Sequence, residues 1–149
     1  MARSVYRVCR ARYARLDGEG ARLVGGRWNS PGSAVVYMAE SVALAVLENL
    51  VHMSRQDFPT GYVCVAAVIP DSMNIAIERD LRLRADLREL SSQALGDWWI
   101  ESKGSAVLEV ASVFAAREHN YLLNPAHSDF AKIAIDPPAL FHFDPRLFR

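Results

Sequence analysis

Ala34-Val35-Val36-Tyr37-Met38-Ala39-Glu40-Ser41-Val42-Ala43-Leu44-Ala45-Val46-Leu47-Glu48-Asn49-Leu50-Val51 is the stretch on which the fold turns. Its first six residues are, Met38 apart, β-branched, aromatic or small and predict a strand over 34–39. Ser41 stands where a helix needs a side-chain oxygen to accept from its first unpaired N–H groups. It therefore predicts the N-cap of a helix from Val42 to Met53, apolar on nearly all sides and roughly three turns long. A helix so apolar is expected to be largely buried.

Strands dominate on both sides of this unit. Upstream, Ser4 to Cys9 alternates and predicts a strand, while Arg10 to Gly20 ends in Asp-Gly-Glu-Gly, a turn signal. Gly25-Gly26-Arg27-Trp28-Asn29-Ser30-Pro31-Gly32 concentrates turn residues around one Arg and one Trp and predicts a loop. Downstream, the continuous apolar run Tyr62 to Ile69 predicts a central strand closed by Pro70-Asp71-Ser72. Leu81, Leu83, Leu87 and Leu90 form an amphipathic series, followed by a second helix from Ser91 or Ser92 through Trp98-Trp99 to Ser102, ending at Gly104. Ala106 to Val113 predicts a strand, His119 to His127 a polar loop built on Asn124-Pro125, and Phe130 to Asp136 and Leu140 to Asp144 two closing strands. Many strands with two helices, out of regular βαβα alternation, predict an α+β fold and disfavour a doubly wound nucleotide fold. The chain also lacks Gly-x-Gly-x-x-Gly and any Walker-type Gly-Lys-Ser/Thr.

Composition bounds the function. At 149 residues the chain is expected to form one domain over 1–149, large enough to build a core without metal or disulfide help. Seventeen basic against seventeen acidic residues give a net charge of zero, which argues against a general nucleic-acid or anionic-membrane binder. Seven arginines fall within residues 1–30 against Asp17 and Glu19, so the positive excess is local. Cys9 and Cys64 lie in apolar runs without metal-like spacing, as in a reduced cytoplasm. Neither a signal peptide nor a membrane span is legible.

Glu48 carries most information about chemistry. Its helical neighbours Leu44, Ala45 and Val51 are apolar, so its carboxylate is expected to be desolvated. Such a group is met by a structural salt bridge to one of the arginines, or lies just clear of the core edge, or else has a catalytic role. Arg27, in its glycine-rich loop, offers a planar fork to a pyrophosphate or carboxylate, or else bridges loops or stacks on Trp28. Tyr37 is either a stacking platform for a flat ring or a core aromatic. Ser112, ending an apolar strand, is bonded to local backbone or exposed in a cleft; no Gly-x-Ser-x-Gly elbow surrounds it. His52 falls one helical turn after Glu48, and His119, His127 and His142 are scattered without the spacing of a metal site. Trp98-Trp99 reads either as an aromatic dimer patch or as two core residues.

Taken in order, Tyr6-Arg7, Gly25 through Gly32, Val36-Tyr37-Met38-Ala39, Ala43 through Glu48, Val110-Ala111-Ser112 and Asn120-Tyr121-Leu122-Leu123-Asn124-Pro125 with His127 resemble the RES-domain family. The similarity spans nearly the whole chain, and the Gly-Gly-Arg-Trp-Asn-Ser-Pro-Gly block is its most specific part. Ala111 departs from the Pro that more often precedes the serine in the family. The resemblance maps the Arg, Glu and Ser that name the family onto Arg27, Glu48 and Ser112. It implies small antiparallel sheets with surrounding helices, similar to the NAD-binding core of ADP-ribosyltransferases.

The resemblance further implies the toxin of a bacterial type II toxin–antitoxin system, with NAD+ as substrate and no separate cofactor. The implied partner is a Xre-like antitoxin carrying a helix-turn-helix, with no direct contact to nucleic acid or membrane and a homodimer within the complex as a further expectation. The implied chemistry is cleavage of the nicotinamide–ribose bond by water or phosphate; the alternative is transfer of ADP-ribose to a cellular protein. Within that implied site Glu48 stabilises the developing cation, Arg27 holds phosphate or ribose, and Tyr37 packs on the nicotinamide. Ser112 is implied to hold a ribose hydroxyl or orient Arg27, with Asn120 and His52 behind them.

Overall fold

The computed structural model describes residues 1–54 and 56–149. Eight strands and four helices follow in the order β1 (Arg3–Arg10), α1 (Glu19–Val24), β2 (Val36–Ala39), α2 (Val42–Leu50), β3 (Tyr62–Ile69), β4 (Ile75–Ile77), α3 (Glu78–Leu81), α4 (Ser92–Ser102), β5 (Val107–Ala111), β6 (His119–Leu123), β7 (Ala134–Ile135) and β8 (Ala139–Phe141). The α+β class expected from the sequence is the class adopted.

The strands run β4-β5-β6-β2-β1-β3-β7, with β8 also on β3, and β4–β5 is the parallel pair among otherwise antiparallel neighbours. β1 and β3 register along all eight residues, from Arg3 opposite Ile69 to Arg10 opposite Tyr62. By contrast β1 and β2 meet at one registered pair, Tyr6 with Ala39. The curled sheet is thus two small groups, β4-β5-β6-β2 and β1-β3-β7/β8, sharing a single seam. Arg7, Val8 and Cys9 would next face Met38, Tyr37 and Val36, but there the register lapses and a cleft opens. Elsewhere the groups are tied by Arg3 of β1, which donates to Glu109 of β5 (2.8 Å) and Tyr121 of β6 (2.6 Å).

One core fills the inside of the curl, drawing Val5, Val65 and Ile69 from one group and Met38, Val107, Tyr121 and Leu123 from the other. A second core packs α4 through Leu95 and Trp99 against Leu108, Leu122 and Trp28. A third packs Leu44 and Ala45 of α2 against Val8, Ala39 and Tyr62. Strand alternation sends Cys9 into the first core while Cys64, opposite Val8, faces the other side, so the two thiols lie on opposite faces of the sheet.

Several expectations change. α2 is capped by Ser41, whose Oγ accepts from Leu44 N–H at 3.1 Å, but it ends at Leu50 and fully buries only Leu44 and Ala45. It lies across the edge of β1 and β2, leaving Leu47 and Val51 in solvent. His119 to Leu123 is strand β6 between β2 and β5, not a loop. Its polar start disguised a buried Tyr-Leu-Leu, and only Asn124 to His127 forms a turn, closed by His127 N–H donating to Asn124 O at 3.1 Å. Phe130 to Asp136 begins in a 3-10 turn (Ser128–Lys132) and keeps only two residues of strand, Ala134–Ile135. The short helices α1 and α3 carry too little periodicity to read. α4 is capped by Ser91 and closes at Lys103, which takes the left-handed conformation (φ 54°) in place of Gly104.

Candidate active site

α2 is pinned to β1 because Asn49 Nδ2 donates to the carbonyls of Val8 and Ala45, each at 2.8 Å. This turns the preceding residue, Glu48, onto the wall of the cleft. Glu48 Oε1 accepts from Ser112 Oγ at 3.0 Å and from Asn120 Nδ2 at 2.8 Å. Among the described residues Oε2 accepts from none, and no arginine pairs with the carboxylate. Neutral donors therefore hold one oxygen, and the negative charge is left uncompensated by protein cations.

A carboxylate can only accept, so this contact fixes the Asn120 amide with Nδ2 toward Glu48. Asn120 Oδ1 is left buried without a partner, and Asn120 lines the cleft. Ser112 is 2% exposed and lies behind Glu48, outside the cleft lining. Its one proton goes to Glu48 and its oxygen accepts from Phe114 N–H at 3.2 Å. It does not reach Arg27 in this structure, and its hydroxyl anchors Glu48.

The cleft has a volume of about 1020 Å³ and is lined by Arg27, Tyr37, Glu48, His52 and Asn120 from the expected set. Tyr37 OH donates to Asn29 Oδ1 at 2.6 Å and accepts from Trp28 N–H at 3.1 Å. Burial first, then the Asp97 charge, push this phenol up to about 12 against the contrary pull of Trp28 N–H. The hydroxyl is thus a neutral strut, and the ring is what Tyr37 offers the cleft. Gly26 admits this packing, since a Cβ there would lie 2.7 Å from the Tyr37 hydroxyl. Arg27, beside it, is exposed, and among the described residues its guanidinium has no hydrogen-bond partner.

Arg7 belongs to the site and was not among the expected site residues. It lines the cleft, and its Nε is buried with no partner. The signal was present: in a strand whose Val5 and Cys9 point inward, period two sends Arg7 inward as well. Asn29 is 0% exposed, and its amide donates to the carbonyls of Ala21, Ser30 and Ser33, which knots the loop around Arg27. Trp99 is 1% exposed and Trp98 is half-buried beneath Arg84, so the tryptophan pair supplies core. Among the described residues no three His, Cys, Asp or Glu side chains gather as a metal site requires.

Two groups of strands splayed at a seam, with an anchored carboxylate and two arginines in the gap, give an α+β fold with an open, polar-lined cleft. The family model described as RES domain matches residues 4–144, and the chain belongs to the RES-domain family. It is 37% identical over 140 residues to the "Prs ADP-ribosylating toxin" of Sphingobium sp. (strain YBL2), covering 90% of this chain and 87% of that protein. To "Toxin Res" of Yersinia enterocolitica it is 36% identical over 149 residues, covering 96% and 98%. To "Toxin Res" of Pseudomonas putida it is 34% identical over 140 residues, covering 91% and 94%. The fold is shared with the crystal structure of the M. tuberculosis MbcT–MbcA toxin–antitoxin complex at a TM-score of 0.71 and 18% identity, over 99% of this chain and 87% of that one. Among the described residues no helix is long and apolar enough to cross a membrane.

Proposed function

We propose that the cleft binds NAD+ and that the protein cleaves its nicotinamide–ribose bond, acting in the cytoplasm as the toxin of a type II toxin–antitoxin pair. One observation carries the reading: Glu48 is held through Oε1 by Ser112 and Asn120, while among the described residues Oε2 has no protein donor and no cation neutralises it. Breaking the C–N bond sends both electrons to the nicotinamide nitrogen and leaves positive charge on the ribose. A preorganised carboxylate in a partly dry cleft stabilises that charge as it develops. Water or phosphate then forms the new C–O bond and releases its proton. The products are neutral nicotinamide and ADP-ribose, or its 1-phosphate.

Arg27 and Arg7 supply forked donors for the pyrophosphate. The Tyr37 ring packs on the nicotinamide, and the unpaired Asn120 Oδ1 accepts from a ribose hydroxyl. His52 lies at the edge of this arrangement. A Xre-like antitoxin covering the cleft is the partner this reading requires, and the toxin–antitoxin complex of similar fold supports a partner of that kind.

A second reading keeps the same cleft and replaces water or phosphate by a protein side chain. It is favoured by the relative named as a Prs ADP-ribosylating toxin. Purified protein incubated with NAD+ in phosphate and in phosphate-free buffer, with nicotinamide, ADP-ribose and its phosphate resolved by chromatography and mass, separates the two. Nicotinamide release from pure components supports cleavage, and its dependence on phosphate names the nucleophile. NAD+ left intact until cell extract is added, with ADP-ribose then found on one protein, supports transfer.

A further inference from the structure

We infer that Gln93 and Asp97 of α4, neither of which lines the cleft, are positioning residues that set how tightly Arg27 holds the anionic centre of the substrate. The inference rests on the reading of Arg27 as a substrate-binding group. Since the guanidinium itself has no protein partner among the described residues, Arg27 takes its position from the backbone that carries it. That backbone is a narrow turn in which Gly26 N–H donates to Asn29 O at 2.9 Å and Asn29 N–H returns to Gly26 O at 3.4 Å. Arg27 and Trp28 form its tip.

α4 grips this turn along one face. Gln93, Gly96 and Asp97 are spaced three and four residues apart and so share a side of the helix. Gln93 Nε2 donates to Asn29 O (3.0 Å) and Gly26 O (3.4 Å), holding both ends of the turn. Asp97 accepts from Ser30 through both oxygens, from N–H at 2.8 Å and from Oγ at 2.5 Å. Gly96 seats the Trp28 carbonyl so closely that a Cβ would fall 1.6 Å from its oxygen. From the cleft side Tyr37 OH holds Trp28 N–H. Both peptides flanking Arg27 are therefore held, one at Gly26 O from α4 and the other at Trp28 N–H from β2, which concentrates the freedom of Arg27 in its side chain. A turn so held lowers the ordering cost of forming a two-pronged contact with phosphate.

The test is nicotinamide release against NAD+ concentration for the wild type, Asp97→Ala, Asp97→Asn, Gln93→Ala, Arg27→Ala and the double variant Arg27→Ala/Asp97→Ala, with thermal midpoints recorded for each. Asp97→Ala is expected to raise KM about tenfold with kcat within about twofold, and Gln93→Ala to act in the same direction more weakly. Asp97→Asn keeps an acceptor for Ser30 N–H and an amide that Ser30 Oγ can accept from, and should restore most of the affinity. In the Arg27→Ala background the Asp97→Ala effect on KM should vanish, because the residue acts through Arg27. A role in stability alone would lower the thermal midpoint and leave KM unmoved, or would give the same factor in both backgrounds; either result overturns the inference. If Arg27→Ala leaves KM unchanged, the reading of Arg27 as a binding group fails, and with it the inference. If Arg27→Ala raises KM and both Asp97→Ala and Gln93→Ala leave it alone, only the inference fails. If the wild type turns over NAD+ only when cell extract is added, the same variants are compared in its presence; an absence of turnover under both conditions overturns both.

Discussion

Ser112 Oγ donates its single proton to Glu48 Oε1 across 3.0 Å, and it does so from behind the carboxylate. The serine therefore has nothing left to donate to a ligand, and in the proposed reaction it acts through the position of Glu48. Ser112→Ala should lower kcat roughly tenfold to a hundredfold, the range set by losing one hydrogen bond to a charged group, about 1.5–3 kcal/mol. KM should change little. It should also loosen residues 113–118, since Phe114 N–H loses its acceptor, and hydrogen exchange at that amide reads this directly.

Glu48→Gln preserves shape and keeps an oxygen for Ser112 and Asn120 while removing the charge. Loss of kcat by about 10²–10³-fold, the scale of removing one preorganised electrostatic group, is expected with the thermal midpoint nearly unchanged. Full NAD+ turnover by this variant would remove Glu48 from the reaction.

Arg7→Met keeps much of the stem that fills the cleft wall and deletes the guanidinium whose Nε lacks a partner. The expected outcome is a raised KM for NAD+, by about tenfold, in a protein at least as stable as the wild type, because an unsatisfied buried donor has been removed. Calorimetric unfolding alongside steady-state kinetics checks both halves of that statement.

Stability should fall as pH rises from about 10 toward 12. Tyr37 and Tyr121 are both pushed up to about 12, Tyr37 chiefly by burial, and Tyr121 by burial and by the Glu109 carboxylate. Between the unfolded and folded values the native state keeps protons that the unfolded chain gives up, so unfolding is favoured as pH rises through that window. Below pH 10 the contribution is fully present. Tyr37→Phe should flatten part of the slope, which denaturant unfolding at pH 9 and pH 11 measures.

Much of this site was legible because its residues sit in patterns with one physical meaning. Ser41 before an apolar run can only cap, and Glu48 inside that run had to be met by something. What met it was not readable: Ser112 and Asn120 are 64 and 72 residues away in sequence, and pairing across that distance is decided by strand register. The same limit hid β6, whose His119 and Asn120 look like a loop until β2 and β5 bury the three residues after them. Arg7 was within reach of period-two counting. Gln93 and Asp97 were not, since a polar face on a helix looks the same whether it meets water or a loop.

The seam between the two strand groups also fixes when the site can exist during synthesis. α2 delivers the carboxylate early, while the pair that holds it arrives only with the residue that follows β5 and the second residue of β6. A nascent chain that has passed Glu48 but not Asn120 carries the charged group without its setting. Under the proposed function the chain is thereby inactive until about four-fifths of it has left the ribosome, and premature termination before β6 yields a fragment without an assembled carboxylate.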